Sequence, residues 1–378
     1  MTAGPALVAH CRAGFEAEAA SDLAEIAQAA GTTLALDAPR GRGFVVARPA
    51  HFDSVRLRRV LDRASPIFVR SLFVGSGPHA LFDPAAVKGR PDRVAPLRGL
   101  VASLPTDAPL RSGDRPLPLA DLWLETPDTN EGKELSGVCR ALAAPLGDAL
   151  RASGALARPG AVAESGARAR LHVLFPDGAH VYVGTSEPPW GSRWPMGIPR
   201  LRMPRGAPSR SALKLAEAFV TFLGDAEPEL LRPGMRAVDL GAAPGGWTWQ
   251  LAHRGLRVTA VDNGPLKGEV LRDPLVTHLR ADGLSWMPKR PVDWLVCDIV
   301  WQPATIASLV ARWIGDGRAR HAIFNLKLPM RKRYDEVRRC EAIIRDALAK
   351  ARVRHTLLLR QLYHDRQEVT GYVAASVG

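Results

Sequence analysis

The sequence predicts an α/β protein whose C-terminal part, residues 209–378, is a doubly wound, mostly parallel sheet, preceded by smaller α+β units. Three observations lead there. After residue 209, short apolar runs of strand length alternate with stripes at helical spacing, the pattern of parallel strands joined by crossover helices. The first run, Val238-Asp239-Leu240, passes into the glycine-rich turn Gly241-Ala242-Ala243-Pro244-Gly245-Gly246 and a helix start at Trp247, the opening unit of a nucleotide-binding sheet. Four polar side chains, Lys214, Asp298, Lys327 and Glu368, stand at the ends of predicted strands or on the helix beside them, where open α/β sheets hold their ligands.

In chain order, apolar periodicity and Gly/Pro punctuation predict strand 6–11, helix 15–30, strand 43–48, helix 53–63 and strand 67–74. A Pro-rich stretch, 84–118, leads to a strand at 121–125 and a helix from Glu131 that Pro145 should kink. Strands 170–175 and 179–184 follow, and Asp177-Gly178 between them signals a hairpin. From 187 to 208 six prolines, Pro189 among them, disfavour helix and predict an extended linker.

Beyond the linker, Ser209 or Ser211 can cap a helix whose stripe is Leu215, Ala216, Phe219, Val220 and Leu223. Strands are expected at 236–240, 257–261, 276–280, 294–298 and 322–327. A helical stripe of Val337, Cys340, Ile343, Ile344, Ala347 and Leu348 comes next, then strands 356–362 and 368–374 with an antiparallel edge.

Composition narrows the functional classes. The chain has 378 residues, 46% of them hydrophobic, enough for several cores, and no apolar run long enough to span a membrane. The first ten residues lack the pattern of a secretory signal, so a cytoplasmic location is expected. Cys11, Cys139, Cys297 and Cys340 lie far apart with no C-x-x-C pair, so buried thiols are expected and neither zinc nor disulfides. A net charge of +13 favours a polyanionic partner such as nucleic acid, although Arg and Ala richness also accompanies a GC-rich genome.

The spacing of Gly241, Gly245 and Gly246 departs from G-x-G-x-x-G, so a dinucleotide is not expected and a smaller anionic group fits better. Asp262 ends the second strand, where a carboxylate can accept from both ribose hydroxyls, and Asp282-Gly283 ends the third, where an adenine edge can lie. Ribose, adenine and a small carboxylate together describe S-adenosylmethionine. Any one of Asp239, Asp262 and Asp282 could equally be a turn-capping aspartate, but three at successive strand ends beside this loop point to a ligand. Trp247 and Trp249 read as packing. Asp298-Ile299-Val300-Trp301 lacks the Pro-Pro-aromatic run of amine methylation, and strand alternation turns Cys297 away from Asp298.

The run Asp239-Leu240-Gly241-Ala242-Ala243-Pro244-Gly245-Gly246-Trp247 resembles motif I of the FtsJ/RrmJ-type ribose 2′-O-methyltransferases. Nearly the whole chain resembles the RlmM family of bacterial 23S rRNA cytidine 2′-O-methyltransferases. The matching stretches include Pro127-Asp128-Thr129-Asn130-Glu131, Met196-Gly197-Ile198-Pro199-Arg200-Leu201, Asp262-Asn263-Gly264-Pro265, Phe324-Asn325-Leu326-Lys327-Leu328-Pro329-Met330 and Gln361-Leu362-Tyr363-His364-Asp365-Arg366. The resemblance implies a ferredoxin-like domain over 1–85, a THUMP RNA-binding domain over 86–190, a Pro/Arg-rich linker over 191–208 and a Rossmann-like methyltransferase domain over 209–378. It implies that Ser211, Ala243, Pro244, Gly245, Gly246, Asp262, Asp282 and Asp298 line the cofactor. It also implies that Lys327 accepts the hydroxyl proton within a Lys214-Asp298-Lys327-Glu368 tetrad. At Ala243 a relative carries Cys, and alanine still permits the turn.

Free lysine titrates near 10.4, which burial lowers and carboxylate partners raise, so the protonation of Lys327 stays open at this level. Arg331, Lys332 and Arg333, with Arg338 and Arg339, follow Lys327 and read either as a phosphate-binding helix start or as a solvated face. The linker arginines, Arg200, Arg202, Arg205 and Arg210, are candidates for tracking RNA. His364 reads as structural. The expected activity is S-adenosylmethionine-dependent 2′-O-methylation of a 23S rRNA cytidine on incompletely assembled RNA, with no metal and no membrane. A tRNA ribose 2′-O-methyltransferase and a noncatalytic RNA-binding assembly factor are the alternatives.

Overall fold

The computed structural model describes residues 4–86, 88–104, 111–112, 115–116, 118–159, 169–188 and 190–376. Pro189 and parts of the Pro-rich stretch 84–118 lie outside them. The chain divides into two compact units, Met1–Ile198 and Pro199–Gly378, and the division falls inside the linker expected at 191–208.

The first unit is built on one seven-stranded sheet. Its strands are β1 (Ala6–His10), β2 (Leu34–Asp37), β3 (Phe44–Pro49), β4 (Ser71–Ala80), β7 (Asp121–Glu125), β8 (Arg170–Leu174) and β9 (His180–Ser186), in the order β2-β3-β1-β4-β9-β8-β7. The two-residue strands β5 (Arg111–Ser112) and β6 (Arg115–Pro116) pair separately. Helices α1 (Glu16–Ala29), α2 (Ser54–Leu61), α3 (Val94–Ala102), α4 (Asn130–Glu134) and α5 (Ser136–Ala152) connect them.

The sheet runs unbroken across the expected 85/86 boundary, because β4 pairs antiparallel with β9. Gly75 and Gly184 face each other at that seam, and a side chain on either would collide with backbone of the other strand. Strand β4 extends to Ala80, past the end expected at residue 74, and β2 was not anticipated at all, being mostly exposed and short. Pro145 lies inside α5 without ending it. The break comes earlier, between α4 and α5 at Leu135.

A buried polar cluster lies within this sheet. Glu125 Oε2 is 2.8 Å from His172 Nδ1 and 3.4 Å from His10 Nε2, and its other oxygen accepts from the Met196 N–H. His172 Nε2 is 2.7 Å from Ser186 Oγ. The Ser-His-Glu order imitates a hydrolase relay, but Ser186 is 1% exposed and His172 0%, so no substrate reaches it. The cluster therefore serves cohesion.

The second unit contains α6 (Ala212–Phe222), α7 (Glu227–Leu230), β10 (Arg236–Leu240), α8 (Gly246–Ala252), β11 (Arg257–Val261), β12 (Val276–Leu279), β13 (Val292–Cys297), α9 (Pro303–Gly315), β14 (Ala319–Lys327), α10 (Arg333–Lys350), β15 (His355–Arg360) and β16 (Glu368–Ala375). Its sheet has the order β12-β11-β10-β13-β14-β16-β15. Strands β12 to β14 are parallel, and β16 pairs antiparallel with both β14 and β15. The antiparallel strand thus lies one place in from the edge, and β15 is the edge.

Leu215, Phe219, Trp247 and Leu251 from α6 and α8 share a core with Trp294, Val296, Ile323 and Tyr372 of the sheet. Helix α9, which the sequence reading did not place, packs on α10 and β14. The order reverses between β10 and β13, which opens a crevice at their carboxyl ends. Among the described residues no helix is long and apolar enough to cross a membrane, and no cluster of His, Cys, Asp or Glu could hold a metal ion.

Candidate active site

The glycine turn leaves β10 at the switch point. Gly241 has φ +77° and Gly245 φ +112°, conformations that favour glycine. A Cβ on Gly241 would stand 2.7 Å from Ile299 Cγ1, so the turn and the loop after β13 meet without a side chain between them. A side chain at Gly246 would collide with the Ser209 and Ser211 hydroxyls, which lie 2.6 Å from each other.

Asp262, half-buried after β11, accepts from Ala243 N–H at 2.9 Å through Oδ2 and from Gly264 N–H at 2.7 Å through Oδ1. Each carboxylate oxygen keeps a lone pair for a further donor. Asp282, exposed after β12, accepts from the Leu284 N–H and the Ser285 hydroxyl. Asp239 is fully buried: Oδ2 accepts from the Thr248 hydroxyl at 2.6 Å, while Oδ1 has no hydrogen-bond partner among the described residues. Burial pushes its pKa up to about 7, against the Thr248 hydrogen bond, with Asp298 and Asp262 adding like charge.

Trp247 and Trp249 are buried packing residues, as read. Cys297 is fully buried in the sheet and its thiol is pushed up to about 12 by burial, so it is no nucleophile.

The tetrad comes together at the carboxyl edge of the same sheet. Lys327 ends β14 and Glu368 begins β16, and the antiparallel register sets them directly opposite each other. Lys327 Nζ donates to Asp298 Oδ1 and to Glu368 Oε2, each at 2.6 Å. Lys214, in the first turn of α6, donates to Glu368 Oε1 and lies 4.0 Å from Asp298 Oδ2. Burial disfavours the Lys327 ammonium, but the charges of Asp298 and Glu368 outweigh it and hold its pKa above the ordinary 10.5. Burial would likewise raise Glu368, and Lys327 and Lys214 hold it below the ordinary carboxylate range. In the resting site Lys327 is therefore an ammonium.

Four supporting residues were missed from sequence. Two places before Lys327 and two after Glu368, Asn325 and Thr370 are again directly opposite, on the same face. Asn325 Nδ2 donates to Asp298 Oδ1 at 2.9 Å, and the Thr370 hydroxyl is 2.8 Å from Asn325 Oδ1 and 2.9 Å from Asp365 Oδ2. One hydroxyl proton cannot serve both neighbours. Burial, with the charges of Glu368 and Glu217, pushes Asp365 well above the ordinary range despite the Leu362 N–H, and the Thr370 hydroxyl lies between Asp365 and Asn325. The chain of donors ends on Asp298 and fixes it toward Lys327. Glu217, one turn along α6 from Lys214, accepts from the backbone N–H groups of Tyr363 and His364 and lies 2.6 Å from His364 Nδ1. This clamps the loop before β16 and makes His364 structural. Period-two alternation along 325–327 and 368–370 was the available signal.

Arg200, Arg202, Arg205, Arg210, Arg331 and Lys332 are exposed, and Arg333, half-buried, lies 3.5 Å from Gln367 Oε1 through Nη1.

A nucleotide-type turn beside a Lys-Asp-Lys-Glu cluster defines a class, and residues 207–341 match the family described as FtsJ-like methyltransferase. Residues 92–187 match the family described as ribosomal RNA large subunit methyltransferase M, N-terminal. Proteins named ribosomal RNA large subunit methyltransferase M are similar over almost the full length. The one from Azoarcus sp. (strain BH72) is 46% identical over 97% of this chain and 95% of its own. That from Methylococcus capsulatus is 46% identical over 99% of each, and that from Aromatoleum aromaticum 47% identical over 97% and 94%. The chain belongs to the ribosomal RNA large subunit methyltransferase M family.

Proposed function

We propose that the chain methylates the 2′-hydroxyl of a cytidine in 23S ribosomal RNA, using S-adenosylmethionine as donor and acting before the large subunit is fully assembled. The observation that carries this is the convergence of Lys214, Asp298, Lys327 and Glu368 in one ion-pair network at the sheet edge that also bears the glycine turn. Membership of a family whose relatives are named for large-subunit ribosomal RNA supports the substrate.

The donor fits the residues present. Asp262 has acceptor capacity left for a ribose diol, the turn at Gly241 to Gly246 is free of side chains that would fill it, and buried Asp239 Oδ1 awaits a partner. S-adenosylmethionine, when bound, supplies an electrophilic methyl group on a positively charged sulfur. Lys327 takes the hydroxyl proton from its neutral form, while Asp298 and Glu368 hold Nζ in place and Lys214 balances their charge. A positive charge nearby disfavours the ammonium and opposes the two carboxylates. The first unit, with its ferredoxin-like (1–85) and THUMP (86–190) parts, and the basic residues Arg200, Arg202, Arg205, Arg210, Arg331, Lys332 and Arg333 contact RNA phosphates.

Incubation with labelled S-adenosylmethionine and either protein-free 23S rRNA or bulk tRNA, followed by mapping of alkali-resistant positions, tests the reading. Transfer to one 23S cytidine is expected. Transfer to tRNA alone would replace it with the tRNA enzyme, and no transfer with retained RNA binding would favour an assembly factor. Asp262→Ala should weaken S-adenosylmethionine binding by about 10- to 100-fold in titration calorimetry, the effect of losing hydrogen bonds to a charged acceptor. Unchanged affinity would remove Asp262 from the donor site.

A further inference from the structure

Three of the large apolar side chains exposed among the described residues follow the catalytic strands directly: Val300 at 77%, Trp301 at 53% and Met330 at 92%. Trp301 is the one exposed aromatic side chain among the described residues. Val300 and Trp301 leave the end of β13 two and three residues after Asp298, and Met330 leaves the end of β14 three residues after Lys327. Strands β13 and β14 are hydrogen-bonded neighbours, and Asp298, just past the end of β13, meets Lys327 at the end of β14, so both loops leave the same edge of the sheet. Ile299 anchors the first loop, since Cβ atoms built on Gly241 and Gly283 would lie 2.7 and 3.0 Å from its side chain. Ile299 thus faces the turn, while Val300 and Trp301 project to solvent.

An isolated exposed Leu or Val needs no explanation, but an exposed Trp with two apolar neighbours at a catalytic edge does. On the function proposed above, the reacting 2′-hydroxyl must sit at Lys327. The base on the adjacent sugar carbon then lies within a few ångströms of that hydroxyl, over the loops leaving β13 and β14. An unstacked base needs a flat apolar partner, and aromatic rings supply one. Arg331 and Lys332, exposed and next to Met330, can hold the phosphates on either side.

We propose that Trp301, with Val300 before it in the chain and Met330 on the adjoining loop, is the platform on which the base of the target nucleotide stacks while its ribose is methylated. Stacking of this kind contributes roughly 5- to 100-fold per base.

The test uses full-length protein and 23S rRNA assembled by splinted ligation. The RNA carries at the mapped position either the natural nucleotide or a ribose with hydrogen in place of the base, which keeps the 2′-hydroxyl. For the wild type, loss of the base should lower kcat/KM by about tenfold or more. Trp301→Ala should be that slow on intact RNA already and lose less than about twofold further, Trp301→Phe should recover most of the rate, and S-adenosylmethionine affinity should be unchanged. The platform is overturned by base removal costing the wild type and Trp301→Ala the same factor, or by Trp301→Ala losing donor affinity in proportion to rate. A wild type that transfers nothing to intact 23S rRNA overturns the function and the platform together, and so differs from failure of the platform alone.

Discussion

Replacing Lys327 by alanine should lower the rate of 2′-O-methyl transfer by about 10²- to 10⁴-fold, the contribution of a positioned base, and leave S-adenosylmethionine affinity within a few fold. On the proposed function Lys327 is the better held base, since it carries close contacts to both Asp298 and Glu368, whereas Lys214 pairs closely with Glu368 alone. A variant that turns over near the wild-type rate would show that Lys327 is not the base.

The pH dependence follows from the same geometry. The two carboxylates hold the Lys327 pKa above 10.5, so at pH 7.5 the neutral form is fewer than about one in a thousand of the free enzyme. Single-turnover rates should therefore climb by close to tenfold per pH unit between about 7 and 9, with no plateau. A profile flat over that range would mean that the residue works as an ammonium, orienting the hydroxyl.

Glu125→Ala should reduce the stability of the first unit by about 3–5 kcal/mol in urea unfolding, because it strips the shared acceptor from His172, His10 and the Met196 N–H inside a sealed sheet. Burial alone would raise this carboxyl, but His172 and His10 outweigh it and hold it far below the ordinary 4.5. A depressed folded-state pKa stabilises the fold above the unfolded value and loses that stability as pH falls through the folded one. The wild type should accordingly weaken progressively below about pH 4.5, and Glu125→Gln should show a shallower loss over the same window. Equal acid slopes in the two proteins would place the acid sensitivity elsewhere.

The second unit was legible because its information is local. A turn that needs positive φ must be built from glycine, a parallel strand buried on both faces must be an apolar run, and ligands collect at strand ends. The places of positions 239–246, 262, 298 and 327 at strand ends, and of 282 in the loop after β12, followed from those rules, and alternation gave the burial of Cys297. The short edge strand β2, the crossover helix α9 and the extension of β4 to Ala80 did not follow. Only the β4 extension depends on a partner distant in sequence, β9; β2 is a short, mostly exposed strand paired with the next one, β3, and the stripe Ile306, Leu309, Val310 and Trp313 of α9 was present in the sequence but not read.

By itself the sequence determined the class of fold, the nucleotide-type turn and which side chains stand at the carboxyl edge, since each depends on backbone conformation and alternation over a few residues. The tertiary structure decided how those side chains work together. The register of β14 against β16 sets Lys327 opposite Glu368 and Asn325 opposite Thr370, and the docking of α6 brings Lys214 to a carboxylate 154 residues away. It also decided the charge on Lys327, because the balance between burial and two carboxylates at 2.6 Å depends on distances that no local pattern encodes.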